Sequence, residues 1–339
     1  MTKWKKIALK ALLAVTLTTT SIYIFAPWEY ALYYFKALPN SVQAQVTEAS
    51  ENGIDGVLVY VQKGDGPGTT YTSGWHNKAL NIPAHKDALF KIASIAKLYE
   101  AVAIAKMVDA KLLSLDNTLA DYLPELATRI EHANKITLRT MVNHTSGIPN
   151  YSDQEGFDWS ENIPNVLDLV LDKPANFVPG EDYAYSNTNY LLLNTIMRRV
   201  LGYPHTEYIR NEVLVPLGLS NTYFSVNDIE PSKIMSGYHV GHETDWKHLE
   251  QGFVASAEDV GIFIRALNDG SLFNGNEKAI YDTIYVYEHT GWVLGYSSIA
   301  RYHKDIDTVV IQFTSTTGDD RVMLTSIIYE RIMRILRGD

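Results

Sequence analysis

Ser94 and Lys97 stand three residues apart in the stretch Ser94-Ile95-Ala96-Lys97, at the head of an amphipathic run that extends to Leu113. On a helix that spacing puts both side chains on one face, within reach of each other. A serine hydroxyl is a weak nucleophile until a neighbouring base takes its proton, and a desolvated lysine can do so. A serine at a helix start gains further, because free N–H groups and the helix dipole favour negative charge there. Chance alone supplies about one such pair in a chain this long, so its weight depends on partners elsewhere. Two follow in order: Tyr185-Ser186-Asn187, then His289-Thr290-Gly291. Tyr185 can share proton transfer with Lys97. Either a tyrosinate held by nearby cations or a neutral lysine can serve as base, and both routes stay open. Asn187 can orient Lys97 and bond a substrate amide. His289, partly protonated near neutrality, can offer a pH-dependent contact to a substrate carboxylate. Singly these are an ordinary helix cap, a solvated lysine, a half-buried tyrosine, a turn asparagine and a strand histidine. Their joint appearance in this order argues against coincidence.

At these residues the chain resembles the serine β-lactamase and penicillin-binding-protein superfamily, closest to the branch of class C β-lactamases, D-Ala-D-Ala carboxypeptidases and related esterases. The likeness covers roughly residues 45–335. It includes Phe90-Lys91-Ile92-Ala93-Ser94, Leu115-Asp116 through Leu126, His144-Thr145-Ser146-Gly147-Ile148-Pro149, Pro216-Leu217-Gly218-Leu219 and Gly252-Phe253 through Asp259. The resemblance implies an α+β, β-lactamase/transpeptidase-like fold: an antiparallel sheet flanked by terminal helices, an inserted helical region, and the site in the cleft between them. It implies Ser94, Lys97 and Tyr185 as catalytic residues, with Asn187, His289, Thr290, Gly291 and Trp292 binding substrate. The Trp292 N–H would be the second oxyanion donor beside that of Ser94. His289 stands where penicillin-binding relatives carry lysine, which favours ester or D-amino-acid peptide substrates over β-lactams. The implied activity is a carboxypeptidase- or esterase-type serine hydrolase working through acyl-Ser94 on D-alanyl peptides or esters of the cell envelope, with no cofactor. A β-lactamase, a penicillin-recognising wall sensor with little turnover, and a silent scaffold are the alternatives. One departure stands out: only thirteen residues separate Gly275 from His289, which predicts an opened cleft rim or a thinner sheet.

Composition narrows the remaining classes. The 339 residues hold no cysteine, excluding thiol catalysis and disulfides, and a net charge of −10 argues against nucleic-acid binding. Four lysines lie among the first ten residues, so the rest of the chain is more acidic still. Ala11–Ala26 carries no charge and spans about 24 Å as a helix, which Ile7–Leu9 and Pro27–Trp28 can extend towards a hydrocarbon core of ~30 Å. No good small-x-small cleavage site follows it closely; Val42-Gln43-Ala44 is acceptable but distant. The reading is a cytoplasmic basic segment at 1–10, a signal anchor at 11–28 and an extracytoplasmic hydrolase domain at 41–335, helical over about 94–219. Secretion after cleavage is the alternative. Trp28, Tyr30, Tyr33 and Tyr34 read as an aromatic belt at the membrane interface. No tail of more than about six residues precedes the anchor, which disfavours a sensor.

The elements that must carry these residues follow from periodicity and turn chemistry. Helices are expected at 41–52, 94–113, 137–143, 163–172, 188–201, 255–268 and 321–336, and strands at 56–62, 69–74, 88–92, 293–302 and 308–314. Gly64–Gly68 lacks the ending of a phosphate loop and reads as a hairpin turn. His239, His242, Glu243, Asp245 and His248 fit no tight zinc spacing and read as a solvated loop. His144 is expected to brace a helix end, and no G-x-S-x-G elbow occurs.

Overall fold

The computed structural model describes residues 2–250, 252–318 and 320–338. Strands run β1 (Gly56–Lys63), β2 (Thr69–Asn77), β3 (Ile82–Pro83), β4 (Phe90–Lys91), β5 (Thr222–Tyr223), β6 (Tyr238–His239), β7 (Val254–Ala255), β8 (His289–Val293), β9 (Tyr296–His303), β10 (Thr308–Thr314) and β11 (Thr316–Thr317). The main sheet is antiparallel, ordered β3-β2-β1-β10-β9-β8, and a small sheet pairs β4-β7-β5. Helices are α1 (Lys3–Phe25), α2 (Trp28–Phe35), α3 (Val42–Glu51), α4 (Ala96–Asp109), α5 (Leu119–Tyr122), α6 (Leu138–Val142), α7 (Asn187–Leu201), α8 (His205–Ile209), α9 (Val215–Leu217), α10 (Ala257–Asp269), α11 (Glu277–Tyr281) and α12 (Arg321–Arg337). The fold is the expected α+β arrangement, an antiparallel sheet with terminal helices on it and a mainly helical region inserted between its strands.

Alternation along the central strands feeds two cores. Leu58 and Tyr60 on β1 sit opposite Phe313 and Ile311 on β10, and this face joins the large core around α4 and α10. Val57, Val59 and Val310 face the other way, under Val46 and Ala49 of α3 and Leu324, Ile328 and Ile332 of α12. Both faces are covered, so these strands read as continuous apolar runs.

Helix α4 departs from the expected amphipathic pattern, being buried from Ala96 to Met107. It runs through the middle of the molecule, with Tyr99 stacked on Phe263 of α10 and Lys106 paired to Glu277 of α11 at 2.8 Å. A helix enclosed on every side needs no polar face. The short segment before His289 supplies α11, and the sheet keeps six strands. The expected strand 293–302 is instead a hairpin, β8 and β9 joined through Leu294 and Gly295. Gly295 has φ of 83°, and a Cβ there would meet the backbone of Gly237 at 2.6 Å, so only glycine fits this turn. The expected helix at 163–172 contracts to one 3-10 turn, Val166–Leu169.

Helix α1 is long and apolar enough to cross a membrane and buries nothing in the protein. The aromatic belt expected after it splits. Tyr30 and Tyr33 turn inward against the domain, while Trp28 and Tyr34 face out. The cause is Arg331 on α12, a 0 % exposed cation. Its guanidinium donates to the carbonyls of Tyr33 (2.8 Å), Lys36 (2.7 Å) and Ala37 (3.2 Å) and to Gln45 Oε1 (2.8 Å). The stretch after α1 is thereby part of the folded domain.

Candidate active site

Ser94 sits in a single 3-10 turn, Ala93–Ile95, that runs directly into α4. Ala93 is held at φ 48°, a left-handed conformation costly for any residue with a Cβ. Two neighbours hold this turn. The Ile92 N–H donates to Phe253 O at 3.0 Å, and Ser298 Oγ on β9 donates to Ile92 O at 3.3 Å. Strand β8 passes so close that a Cβ on Gly291 would lie 2.3 Å from Ile92 O. Glycine in the His289-Thr290-Gly291 triplet is what lets the edge strand lie beside the serine.

Two groups converge on Ser94 Oγ. The Tyr185 hydroxyl donates to it at 2.7 Å and Lys97 Nζ donates at 3.3 Å. Lys97 also donates to Asn187 Oδ1 at 2.9 Å and lies over the rings of Tyr185 and Tyr190, with centroids 5.1 and 5.4 Å away. The four residues come from two chain regions that are strapped together. His144, in a left-handed conformation after α6, accepts the Ser186 N–H on Nδ1 at 3.2 Å and lays its ring 4.5 Å from that of Tyr185. Asn150 Oδ1 accepts the Asn187 N–H at 3.0 Å, and Ser152 Oγ accepts from Asn187 Nδ2 at 3.2 Å. The stretch from His144 to Ser152 thus clamps the start of α7. Burial drives the His144 ring down to about 3, with Lys97 adding to the effect, so it stands neutral.

His289 lines the same cleft, its ring 6.3 Å from that of Tyr185. Its expected partial charge is not supported. Burial lowers it to about 4, a hydrogen bond to Thr290 O works against that, and Lys97 lowers it further. The partners fix one neutral tautomer: Nδ1–H donates to Thr290 O, and Nε2 accepts from the Tyr285 hydroxyl at 3.1 Å. Both ring nitrogens are spoken for within the protein, which leaves none to anchor a carboxylate.

The cleft encloses about 1160 Å³, generous for a small-molecule site. Thr290 and Trp292 line it with Ser94, and Trp159 meets Trp292 edge to face at 5.4 Å. Sequence reasoning passed over two contributors. One is the aromatic rim of Tyr151, Phe157 and Trp159, whose only signal is aromatic density in a loop. The other is Glu100, six residues after Ser94, which lines the cleft although it is a buried carboxyl. The residues of the 239–248 loop are engaged locally: His239 Nδ1 with Thr317 Oγ1 at 2.9 Å, His248 Nδ1 with Asp245 O at 2.9 Å, and Asp245 with Lys247 at 3.2 Å.

Comparison with known proteins adds an independent line. Residues 40–283 match the family model described as Beta-lactamase. The chain is 26% identical over 216 residues to Protein flp of Staphylococcus aureus (strain NCTC 8325 / PS 47), a match covering 59% of this chain and 43% of that protein. It is 25% identical over 170 residues to Penicillin-binding protein 4* of Bacillus subtilis (strain 168), covering 48% and 37%. Each match spans less than half of the relative's length. Among solved structures, D-amino acid amidase from Ochrobactrum anthropi SV3 superposes with a TM-score of 0.77 at 18% identity, over 88% of this chain and 99% of that one. A penicillin binding protein from Bacillus halodurans gives 0.70 at 22% identity, over 84% and 98%. At these identities the structural likeness establishes the fold.

Proposed function

The chain belongs to the beta-lactamase family of serine hydrolases, and we propose that it cleaves D-alanyl or related D-amino-acid amides and esters of the cell envelope through an acyl-Ser94 intermediate. The observation that carries this reading is the convergence of Tyr185 and Lys97 on Ser94 Oγ, at 2.7 and 3.3 Å, inside a cleft. Ser94 Oγ attacks the substrate carbonyl as its proton passes into the Lys97–Tyr185 pair. The backbone N–H groups of Ser94 and Trp292 receive the developing oxyanion. Tyr185 returns the proton to the leaving amine or alcohol, and water then enters by the same relay to release the acid. Asn187 orients Lys97 and, through its amide, the substrate. The amidase sharing this fold is named for D-amino acids and the curated relative for penicillin binding, which supports D-configured acyl donors.

The same proposal keeps α1 as a membrane anchor with the catalytic domain outside. A mature chain beginning at Gln45 would strip three carbonyl partners from Arg331 and remove Tyr30, Tyr33 and Val42 from the core beneath α12, baring apolar surface that the full chain buries. Retention of residues 27–44 is favoured on that ground. The test is intact-mass spectrometry of the membrane-embedded chain after a fluorophosphonate and, separately, a penicillin. One adduct should map to Ser94, vanish in Ser94→Ala and sit on a chain still starting at the N-terminal lysines. Labelling elsewhere sinks the nucleophile, and a start near Gln45 sinks the anchor.

A further inference from the structure

Two acceptor atoms along the cleft have no donor. Glu100 lies on α4 one turn beyond Lys97, 5 % exposed, with one carboxylate oxygen accepting from Asn194 Nδ2 at 2.7 Å. Among the described residues its second oxygen accepts no hydrogen bond, and it forms no ion pair. Asn194 Oδ1 is buried and likewise unpartnered. Both line an arm of the cleft between α4, α7 and α8, with Leu191, His205 and Phe224. Asn194 Oδ1 is enclosed by protein, whereas the free oxygen of Glu100 is not enclosed and opens onto the cleft, where a donor can reach it.

The charges around it specify which donors. The carboxylates lining the cleft are Glu100, Glu161 and Glu250. Among its described lining residues Lys97 is the only lysine or arginine, and its ammonium is already committed to Ser94 and Asn187. His205 is driven down to about 4 by burial and by nearby Arg198, so it adds no charge. His289 adds none either. We propose that Glu100, braced by Asn194, forms a subsite for a primary ammonium carried by the acyl part of the substrate, remote from the scissile bond. An ammonium offers three donors, one of which the free Glu100 oxygen can accept. Six residues of helix rise about 9 Å, and a glutamate side chain leans back towards the N-terminus, so the ammonium sits roughly 6–9 Å from the reacting carbonyl. Burial holds the Glu100 carboxyl up to about 7, with Lys97 and the Asn194 contact pulling it down. An arriving cation would complete its ionisation.

This inference rests on Ser94 hydrolysing acyl donors, and its test separates the two. The full chain in detergent micelles is offered the p-nitrophenyl esters of hexanoic acid and of ε-aminohexanoic acid, with γ-aminobutyric acid as a shorter control. The ε-amino ester should show a kcat/KM at least about tenfold above its neutral twin, mainly through KM, with the shorter amine gaining less. In Glu100→Gln, which keeps an acceptor for Asn194, that ratio should fall to about one. Equal turnover of all three esters by the unsubstituted chain overturns the subsite without any variant having to fold. A preference that survives Glu100→Gln places cation recognition elsewhere and overturns it too. Turnover of no ester, with no adduct on Ser94, defeats the hydrolase reading itself.

Discussion

The two walls of the cleft are built on opposite principles. The helix wall, α4 with the start of α7, carries Ser94, Lys97, Glu100, Asn187 and Asn194, and it concentrates ionisable groups in a buried setting. The strand wall, β8, presents His289, Thr290, Gly291 and Trp292 and brings no net charge, since both nitrogens of His289 are used inside the protein. Charge gathers around Ser94, and shape and backbone lie opposite. A carboxylate-bearing substrate therefore finds no cation on the strand side, whereas an amine-bearing one finds acceptors on the helix side.

The hardest test of this contrast is the helix wall itself. Ser94→Ala should lower turnover of an activated ester by about 10³-fold or more while the melting temperature stays close to that of the parent. Lys97→Ala and Tyr185→Phe should each cost roughly 10²–10⁴-fold in kcat, and pairing either with Ser94→Ala should add little, because the three act as a unit. If Trp292→Phe, on the opposite wall, costs as much as Lys97→Ala, the division of labour fails.

A second measurement uses stability against pH, where the two buried histidines and Glu100 differ in sign. His289 and His144 have folded values lowered to about 4 and about 3, below an unfolded value near 6.5. Their contribution is fully present above pH 6.5 and is lost as pH falls towards those lower values, at about 1.4 kcal/mol per pH unit for each group. Glu100 runs the other way. Its folded value of about 7 lies above that of an unfolded glutamate, so it weakens the fold as pH rises from about 4.5 through 7. Urea denaturation at pH 5 and pH 8 should show His289→Gln losing less stability than the parent on acidification, by about 2 kcal/mol. Glu100→Gln should gain relative stability at pH 8. Unchanged slopes in both variants would mean that neither group is buried in the state described.

The smallest expected effect concerns His289 and substrate charge. A neutral imidazole predicts that KM for an ester with a free carboxylate stays flat from about pH 5.5 to 8. His289→Lys should lower that KM by up to about tenfold and leave a neutral ester unmoved. A KM that rises steadily through pH 6–7 in the parent would restore a charged histidine and erase the asymmetry between the walls.

Much of this arrangement was readable from the chain, for local reasons. Helices α3, α7, α10 and α12 fall within a residue or two of expectation because caps and apolar spacing act over a few residues. Ser256 caps α10 through the Asp259 N–H, and Gly202 ends α7 in a left-handed turn. The order of the Ser94, Tyr185 and His289 stretches anticipated that they would meet, and the structure brings them within hydrogen-bond or ring-contact range.

What escaped the sequence depends on contacts between distant segments. The turn between β8 and β9 is set by Gly237 pressing on Gly295, fifty-eight residues away in the chain. Tyr33 looked like a membrane-facing tyrosine until Arg331, 298 residues on, drew its helix inward. Glu100 drew no notice within a run expected to be amphipathic, and packing from both sides made it a buried acid in the cleft. Periodicity, caps and turns are short-range and are written in neighbouring residues, so the chain alone could specify many of its elements and single out a candidate nucleophile. Ionisation states and the character of each cleft wall depend on how much water the assembled fold excludes, and that quantity exists only once remote segments have packed together.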